Sequence, residues 1–284
     1  GSYAGVVVTY TLADGTNGGL AANYSLATGT ATGEITAKTL SVTAPSIASR
    51  AYNGATTAGS VTVGTISGFV GTETVTATGA AANYSSAAIG SYAGVVVTYT
   101  LADGTNGGLA TNYSLATGTA TGTITAKELT LTGSFTVTSK VYNRDVTASI
   151  DSNLLTLVGV ETGDTVTLVP VIEFDTRNVG TGKTVSLKAT SSLTGSGAGN
   201  YSLSLTGAPT STGNITSRLL SIGGSLTATS KVYDDTTAAT LTTSSLTLSG
   251  VVSGDGAGVS LSGISGAFSD ENVGTDKTVS ITVA

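Results

Sequence analysis

The side chains with the widest chemical range in this sequence are carboxylates, because its 284 residues include no His and no Cys. The missing His removes the commonest general base and the commonest metal ligand of proteins. The missing Cys excludes disulfides and thiolate metal sites. We therefore expect no catalytic residue, no cofactor, no cofactor-binding residue and no metal ligand, and the sequence predicts that the protein is not an enzyme.

Two adjacent carboxylate pairs near the end of the sequence are the candidates for acid–base chemistry. Their members are Asp234, Asp235, Asp270 and Glu271. Paired carboxylates of glycosidases face each other across a cleft, roughly 5–10 Å apart. The corresponding positions in the preceding copy of the sequence hold Asn143, Arg144, Thr176 and Arg177. The acidic character is therefore not repeated, and solvated turn residues are the favoured interpretation.

Two glycine-rich segments have some likeness to a calcium-binding loop. Residues 14–19 and 103–108 share the sequence Asp-Gly-Thr-Asn-Gly-Gly. A calcium site needs several oxygen ligands, usually from two or more carboxylates, whereas each segment has one, Asp14 or Asp103. A glycine-rich hairpin turn is therefore the favoured interpretation of both segments.

Two lysines lie close in sequence to asparagines, Lys183 after Asn178 and Lys277 after Asn272. Some bacterial surface domains join Lys to Asn covalently. That reaction needs a buried acid beside the pair, and the sequence identifies no such acid. We therefore do not predict a cross-link.

Two sets of tyrosines recur along the chain. The first set is Tyr52, Tyr142 and Tyr233, and the second is Tyr24, Tyr113 and Tyr201. An exposed ladder of rings would suit stacking on sugars. The sequence has only four Phe and no Trp, so burial of these rings would be a large stabilising term for each repeat. Core anchors are the favoured interpretation, and we expect Tyr142 and Tyr233 to be largely buried with hydrogen-bonded hydroxyls.

The composition predicts an all-β protein. Charged residues make up 10% of the chain and Gly contributes 39 residues, while the abundant Val, Thr, Ile and Tyr favour strands and Gly, Asn, Asp and Ser favour turns. The net charge is −6 with no basic stripe, so we expect no nucleic acid partner. No apolar run is long enough to span a bilayer, so we expect no membrane insertion.

A long internal repeat decides the predicted architecture. Residues 1–38 recur at 90–127 with two differences, and weaker copies follow at similar spacing. We read the chain as the C-terminal part of a repeat unit (1–38), two full units (39–128 and 129–219) and the N-terminal part of another (220–284). The sequence therefore predicts tandem β-rich domains of about 90 residues in a linear rod, with a β-grasp-like sheet and an immunoglobulin-like sandwich both left open.

Strand signals lie within each unit. Residues 94–101 form an apolar run, and residues 165–169 and 184–187 alternate with a period of two, which is typical of strands. Residues 236–241 are ambiguous between a strand and a short helical turn. Any helix is expected to be a minor component.

Recurring motifs give the chain a resemblance to a known family. They are Lys231-Val232-Tyr233-Asp234, Gly254-Asp255 and Asn272-Val273-Gly274-Thr275, with matching residues in the second unit at Lys140-Val141-Tyr142-Asn143, Gly163-Asp164 and Asn178-Val179-Gly180-Thr181. They resemble the YDG-type repeat and the related MBG (mostly β-grasp) repeat. The resemblance implies tandem arrays in large secreted bacterial adhesins, including filamentous-haemagglutinin-like proteins, and it brings no catalytic residues.

These observations predict a structural stalk or fibre segment of an extracellular bacterial adhesin or surface filament. The alternative is an array of modules that bind carbohydrate or a host surface. The expected partners are neighbouring repeat units or copies of the same chain joined head-to-tail, with surface carbohydrate as the other candidate. In the head-to-tail arrangement, residues 1–38 of one chain would complete or stack against residues 220–284 of the next.

Overall fold

A computed structural model describes residues 1–242, 245–256 and 258–283. Among these residues there are strands and three short 3₁₀ turns but no α-helix, which confirms the predicted all-β class. The ambiguous residues 236–241 contribute to strands and not to a helical turn. The chain divides into two compact units, one comprising residues 1–128, 161–165 and 196–202, and the other comprising residues 129–160, 166–195 and 203–284.

The first half of the chain contains strands and two 3₁₀ turns. In residues 1–128 they are β1 (Ser2–Val8), β2 (Gly29–Glu34), β3 (Lys38–Val42), β4 (Ser46–Ile47), β5 (Arg50–Ala51), β6 (Val61–Thr62), β7 (Ile66–Ser67), β8 (Val75–Ala81), β9 (Gly90–Asp103), β10 (Tyr113–Leu115), β11 (Gly118–Thr125) and the start of β12 (Lys127–Thr132). The 3₁₀ turns of this half are Ala21–Asn23 and Ala110–Asn112.

The strands of the second half repeat the pattern. From residue 135 to residue 216 they are β13 (Phe135–Val137), β14 (Lys140–Val141), β15 (Ile150–Asn153), β16 (Thr156–Val158), β17 (Thr167–Val169), β18 (Ile172–Phe174), β19 (Gly180–Leu187), β20 (Ser192–Thr194), β21 (Tyr201–Leu203) and β22 (Ser211–Thr216). The last strands are β23 (Ser221–Gly223), β24 (Thr227–Ala228), β25 (Ala238–Ala239), β26 (Leu241–Thr242), β27 (Thr247–Ser249), β28 (Ile264–Phe268) and β29 (Val279–Val283). The third 3₁₀ turn is Ala198–Asn200.

Each full repeat is built around a mixed four-stranded sheet. The order is β5-β11-β9-β8 in the first repeat and β14-β22-β19-β18 in the second. In each sheet the strand that ends the repeat, β11 or β22, runs antiparallel to one neighbour and parallel to the short strand on its other side. We call β11 and β22 the closing strands. Each closing strand is hydrogen-bonded along both of its edges, so it completes the four-stranded sheet of its repeat.

The closing strands carry the alternation expected of a half-buried strand. In β22, Gly213 and Ile215 are buried while Thr212 and Thr216 are exposed. Ile215 is 1% exposed and lies in a core cluster with Phe135, Ile172, Phe174 and Val185. A Cβ atom built on Gly213 would lie 2.5 Å from a methyl carbon of Val137 and 3.1 Å from the ring of Phe174, so this position accepts only glycine without movement of the core.

The last segment differs in its sheet. Its strand order is β25-β28-β29, and Phe268 pairs with Val279 as Phe174 pairs with Val185 in the second repeat. β28 and β29 therefore correspond to β18 and β19. Among the described residues, no strand of the sheet takes the place of β22 beside β29.

Candidate repeat-joining site

The candidate site is built around a carboxylate in a glycine-containing loop of each repeat. In the second repeat, Asp164 follows Gly163, whose φ of 97° lies in the left-handed region. The amide of Asp164 donates to the carbonyl of Glu161 at 3.2 Å, and the amide of Gly197 donates to the carbonyl of Thr165 at 3.2 Å. These bonds hold the Asp164 side chain against the chain that precedes β21.

Two tyrosine hydroxyls converge on Asp164. The hydroxyl of Tyr201 donates to Asp164 Oδ2 at 2.5 Å, and the hydroxyl of Tyr52 donates to the same oxygen at 2.9 Å. The Tyr201 oxygen also accepts the amide of Glu161 at 2.9 Å. The two rings are buried and meet edge to face, with centroids 5.3 Å apart, which is a favourable aromatic geometry. We call this arrangement the double-tyrosine cluster.

Burial and the carboxylate both disfavour ionisation of these hydroxyls. Burial, followed by the hydrogen bond to Asp164, raises the pKa of Tyr201 to about 12. The same two causes, with burial again first, raise the pKa of Tyr52. Both tyrosines are therefore neutral donors near neutral pH, and both of their hydrogen bonds go to the same carboxylate oxygen.

The double-tyrosine cluster links two successive repeats. Tyr52 belongs to the first repeat, whereas Asp164 and Tyr201 belong to the second, and Tyr52 and Asp164 are 112 residues apart. All three residues lie in the same compact unit. A tyrosine near the start of one repeat therefore contacts the acidic loop of the repeat that follows it.

The same connection recurs one repeat later. The hydroxyl of Tyr142 donates to Asp255 Oδ2 at 2.7 Å across 113 residues, and both residues lie in the second unit. The Asp255 hydrogen bond is the main cause that raises the pKa of Tyr142. Arg144 replaces the second tyrosine: its Nε lies 3.3 Å from Asp255 Oδ1, near enough for charge attraction although the N–H is not aligned for a hydrogen bond. We call this arrangement the tyrosine–arginine cluster.

A related contact occurs inside the first repeat. The Tyr113 hydroxyl donates to Glu73 Oε2 at 2.5 Å and accepts the amide of Val70 at 3.1 Å. The hydrogen bond to Glu73 is the main cause that raises the pKa of Tyr113. Glu73 and Tyr113 therefore correspond to Asp164 and Tyr201, so the acidic loop is a feature of both full repeats.

A tight turn positions the linking tyrosine. The residue two places after it adopts a left-handed conformation in every copy, with φ values of 75° at Gly54, 70° at Arg144 and 60° at Asp235. The Asn or Asp between them favours turns of this kind because its side chain can bond to the backbone two residues on. In the last segment Asp234 accepts the amide of Thr236 at 3.1 Å and the ammonium of Lys231 at 2.7 Å.

The structure separates the predicted core tyrosines into two groups. Tyr52, Tyr113 and Tyr201 are buried, and Tyr142 is partly buried and hydrogen-bonded, so the core-anchor interpretation is confirmed for these four. It is wrong for Tyr233, which is 56% exposed, and for Tyr24, which is 72% exposed.

Among the described residues, no acidic loop reaches the Tyr233 hydroxyl in the way that Asp164 reaches Tyr52 and Asp255 reaches Tyr142. Tyr233 occupies the linking position, where burial of the ring comes from the acidic loop of a following repeat. The Tyr233 hydroxyl donates instead to neighbouring Asp235 at 3.1 Å. Tyr24 lies between strands β1 and β2, which pair only with each other among the described strands.

The carboxylate pairs near the end of the sequence are held by lysines. Asp234 pairs with Lys231 and Asp270 pairs with Lys277. The lysine hydrogen bond is in each case the main cause that lowers the pKa of the aspartate, which keeps the carboxylate ionised and unsuited to donate a proton. Asp235 and Glu271 are exposed.

The lysines of the Asn-Val-Gly motif contact carboxylates upstream. Lys183 Nζ lies 3.0 Å from Asp175 Oδ1, and Lys277, the counterpart of Lys183, pairs with Asp270. The amide of Asn272 also donates to Asp270 at 2.9 Å. The lysines therefore stabilise the turn between two paired strands. Each lysine forms its ion pair with an aspartate.

The two glycine-rich segments are turns capped by their single carboxylate. Asp14 accepts the amide of Ala21 at 2.6 Å, and Asp103 accepts the amide of Ala110 at 2.7 Å. Each bond fastens the loop to the 3₁₀ turn that follows it. Across the described ranges, no group of three or more His, Cys, Asp or Glu side chains is placed to hold a metal ion. In the same residues, no helix has the length and apolar character needed to cross a bilayer.

Sequence reasoning missed Asp164 and Asp255 as partners of the linking tyrosines. A signal was present, since an acidic residue follows each of Tyr52 and Tyr142 at a nearly constant distance of 112 or 113 residues. That distance exceeds one repeat, so a comparison of repeats position by position does not bring the two residues together.

The fold and the repeated cluster define an all-β protein of tandem domains joined by tyrosine–carboxylate contacts. The YDG domain model matches three times, at residues 36–121, 125–212 and 216–284, so the chain belongs to the YDG domain family. Neither the curated proteins nor the solved structures contain a match to it.

Proposed function

We propose that this chain is a stalk or fibre segment of a bacterial extracellular adhesin or surface filament. The observation that carries the proposal is the repeated tyrosine–carboxylate contact from one repeat to the next, at Tyr52–Asp164 and again at Tyr142–Asp255. Independent beads on flexible linkers would not need a repeated contact of this kind, whereas a spacer gains stiffness from it. Nearly identical repeats suit this role because each one does the same mechanical work.

Small-angle X-ray scattering on the 284-residue chain tests the mechanical part. A globular chain of this length would have a radius of gyration of about 19 Å. A stalk segment should give a clearly larger value and a rod-like cross-section region in the scattering curve. A value near 19 Å would contradict the proposal.

Surface labelling tests the location. Antibodies raised against this chain should label intact, unpermeabilised cells of the bacterium that produces it. Label that appears only after permeabilisation would contradict an extracellular role.

A binding role is the second candidate, and the exposed rings of Tyr24 and Tyr233 favour it. Exposed aromatic rings can stack on sugars. A glycan array probed with the parent chain and with Tyr24→Ala and Tyr233→Ala variants distinguishes the two functions. Binding that both substitutions reduce would favour the carbohydrate-binding role, whereas binding by none of the three proteins favours the spacer.

A further inference from the structure

The chain lacks the side chains that are usually oxidised first. It contains no Cys, Met, Trp or His, but it has 11 Tyr. Cys and Met are the common targets of protein oxidation, and among the side chains that remain here the phenol of Tyr gives up an electron most readily. Oxidation of this protein is therefore directed to its tyrosines.

Two pairs of tyrosine rings are in contact in the described residues. Tyr52 and Tyr201 meet edge to face with centroids 5.3 Å apart, and Tyr84 and Tyr92 stack with centroids 4.7 Å apart. The stacked pair lies within one repeat, whereas the double-tyrosine cluster joins the first repeat to the second. Both hydroxyls of the double-tyrosine cluster reach Asp164 Oδ2. The hydroxyl-bearing ends of its two rings, and the ortho carbons beside them, therefore lie together.

Asp164 is placed to take the protons that leave when these tyrosines are oxidised. Loss of an electron turns a phenol into a strong acid, so oxidation is easier where a hydrogen-bonded base accepts the proton. The hydroxyls of Tyr52 and Tyr201 donate to Asp164 Oδ2 at 2.9 and 2.5 Å. The Tyr92 hydroxyl donates instead to the carbonyl of Ala88, which is a far weaker base than a carboxylate. The double-tyrosine cluster thus combines two adjacent rings with a shared proton acceptor.

We propose that Tyr52 and Tyr201 form an oxidative cross-link, a carbon–carbon bond between one Cε atom of each ring that joins the two repeats covalently. Each phenol gives one electron to a one-electron oxidant and one proton to Asp164 or to solvent, and the two phenoxyl radicals couple. The ortho hydrogens then move to the ring oxygens and restore both phenols, so the pair loses two electrons and two protons in all. Hydrogen peroxide consumed by a haem peroxidase takes up both and becomes two molecules of water.

Burial makes the coupling specific to this pair. Tyr52 is 6% exposed and Tyr201 is 8% exposed, so neither ring reaches a second chain, and a radical on one ring has the other as its neighbour. Groups held in contact react as though they were at very high concentration. Tyr24 and Tyr233 are mostly exposed, so their radicals would couple between chains and yield dimers.

The cross-link rests on the proposed function and deepens it, because it gives the repeat-joining site a covalent form. A chain without Cys cannot lock its repeats together with disulfides. A bond between Tyr52 and Tyr201 would hold the first repeat to the second under a pull that breaks hydrogen bonds. The tyrosine–arginine cluster contains one ring, Tyr142, so the same chemistry leaves that cluster non-covalent.

Photo-oxidation of the whole 284-residue chain tests the cross-link. The dilute protein is illuminated with the ruthenium tris-bipyridyl complex and persulfate, which generate a one-electron oxidant, and the monomer is isolated under denaturing conditions and digested with trypsin. Cleavage after Lys and Arg leaves Tyr52 in the peptide of residues 51–127 and Tyr201, as the only tyrosine, in the peptide of residues 189–218. We expect these two peptides to be joined, with a mass two hydrogens below their sum. Their absence from the monomer, once exposed tyrosines have linked chains into dimers, would overturn the proposal.

Single-hydroxyl variants assign the two partners. Phe forms no phenoxyl radical, so Tyr52→Phe should remove the joined peptides while its ring keeps the packing. Tyr142→Phe, at the corresponding position of the second repeat, and Tyr92→Phe, which removes the stacked pair, are the matched controls and should leave the joined peptides in place. Circular dichroism before illumination establishes that each variant is folded. Joined peptides that survive Tyr52→Phe would show that Tyr201 couples to another ring, which would overturn the proposal.

The cross-link and the proposed function can fail separately. Scattering and surface labelling are measured on the chain before oxidation, so a chain that forms no Tyr52–Tyr201 bond leaves those results untouched. Conversely, a compact or intracellular chain that still gives the joined peptides would keep the cross-link and lose the stalk.

Discussion

The double-tyrosine cluster and the tyrosine–arginine cluster perform the same linkage with different chemistry. In both, a tyrosine hydroxyl donates to an aspartate in the repeat that follows it, 112 or 113 residues along the chain. In the first, Tyr201 supplies a second neutral donor inside a buried ring pair. In the second, Arg144 supplies a partly exposed positive charge. The comparison teaches that the tyrosine–aspartate bond is the common element, and that burial decides how much the surrounding groups contribute.

The largest expected difference between the clusters comes from removal of the shared aspartate. Asp164→Ala leaves two buried hydroxyls without their acceptor, so we expect it to lower the free energy of unfolding of the first unit by roughly 3–5 kcal/mol. Asp255→Ala affects one partly buried hydroxyl and one partly exposed charge, and it should lower the free energy of unfolding of the second unit by about 1–2 kcal/mol. Urea unfolding, with hydrogen exchange to locate the change, measures both. Equal costs would show that burial does not separate the two clusters.

Removal of single hydroxyls should rank the members of the double-tyrosine cluster. Tyr201→Phe removes a donor to Asp164 and the acceptor of the Glu161 amide, so we expect a loss of about 2–3 kcal/mol. Tyr52→Phe removes one donor and should cost about 1 kcal/mol. Urea unfolding of both variants and of Tyr142→Phe gives the ranking. A Tyr52→Phe loss larger than that of Tyr201→Phe would contradict it.

Alkaline pH should weaken the double-tyrosine cluster in a defined window. The folded pKa of Tyr201 is raised to about 12 from an ordinary value of 10.0, so the unfolded chain loses this proton first. The stability from Tyr201 is therefore fully present below pH 10 and is lost as the pH rises towards 12. The melting temperature of the parent chain should fall as the pH rises through this window. The melting temperature of the Tyr201→Phe variant should fall less steeply, because the variant lacks this titrating hydroxyl. Tyr233→Phe, which alters an exposed ring, is the control and should follow the parent.

The smallest expected effect concerns Arg144. Its ion pair with Asp255 is partly exposed, so it should contribute less than about 1 kcal/mol to the free energy of unfolding of the second unit. Salt screens exposed charges, so this contribution should be smaller at high salt. Its φ of 70° is costly for a residue with a Cβ, and Gly54 occupies the corresponding turn without that cost. Arg144→Gly should therefore leave the stability of the second unit nearly unchanged or raise it, whereas Arg144→Ala should lower it slightly. Differential scanning calorimetry at two salt concentrations measures both variants.

Much of the fold was predictable because it depends on local pattern and on repetition. The repeat of residues 1–38 at 90–127 indicated tandem units, and the matches to the YDG domain model agree with that organisation. The period-two alternation of residues 165–169 and 184–187 predicted strands, and β17 and β19 lie there. The sheet order was not predictable, because a parallel pair such as Lys140–Val141 with β22 joins residues about 75 positions apart.

The features of the candidate site likewise divide into those that the sequence predicts and those that only the tertiary structure decides. The sequence by itself determined the all-β class and the tandem repeats, because these follow from composition and from repetition. Only the tertiary structure decided that Tyr52 bonds to Asp164 in the next repeat and that Tyr233 lies exposed. A tyrosine is buried when another segment covers it, and which segment does so is a property of the folded chain.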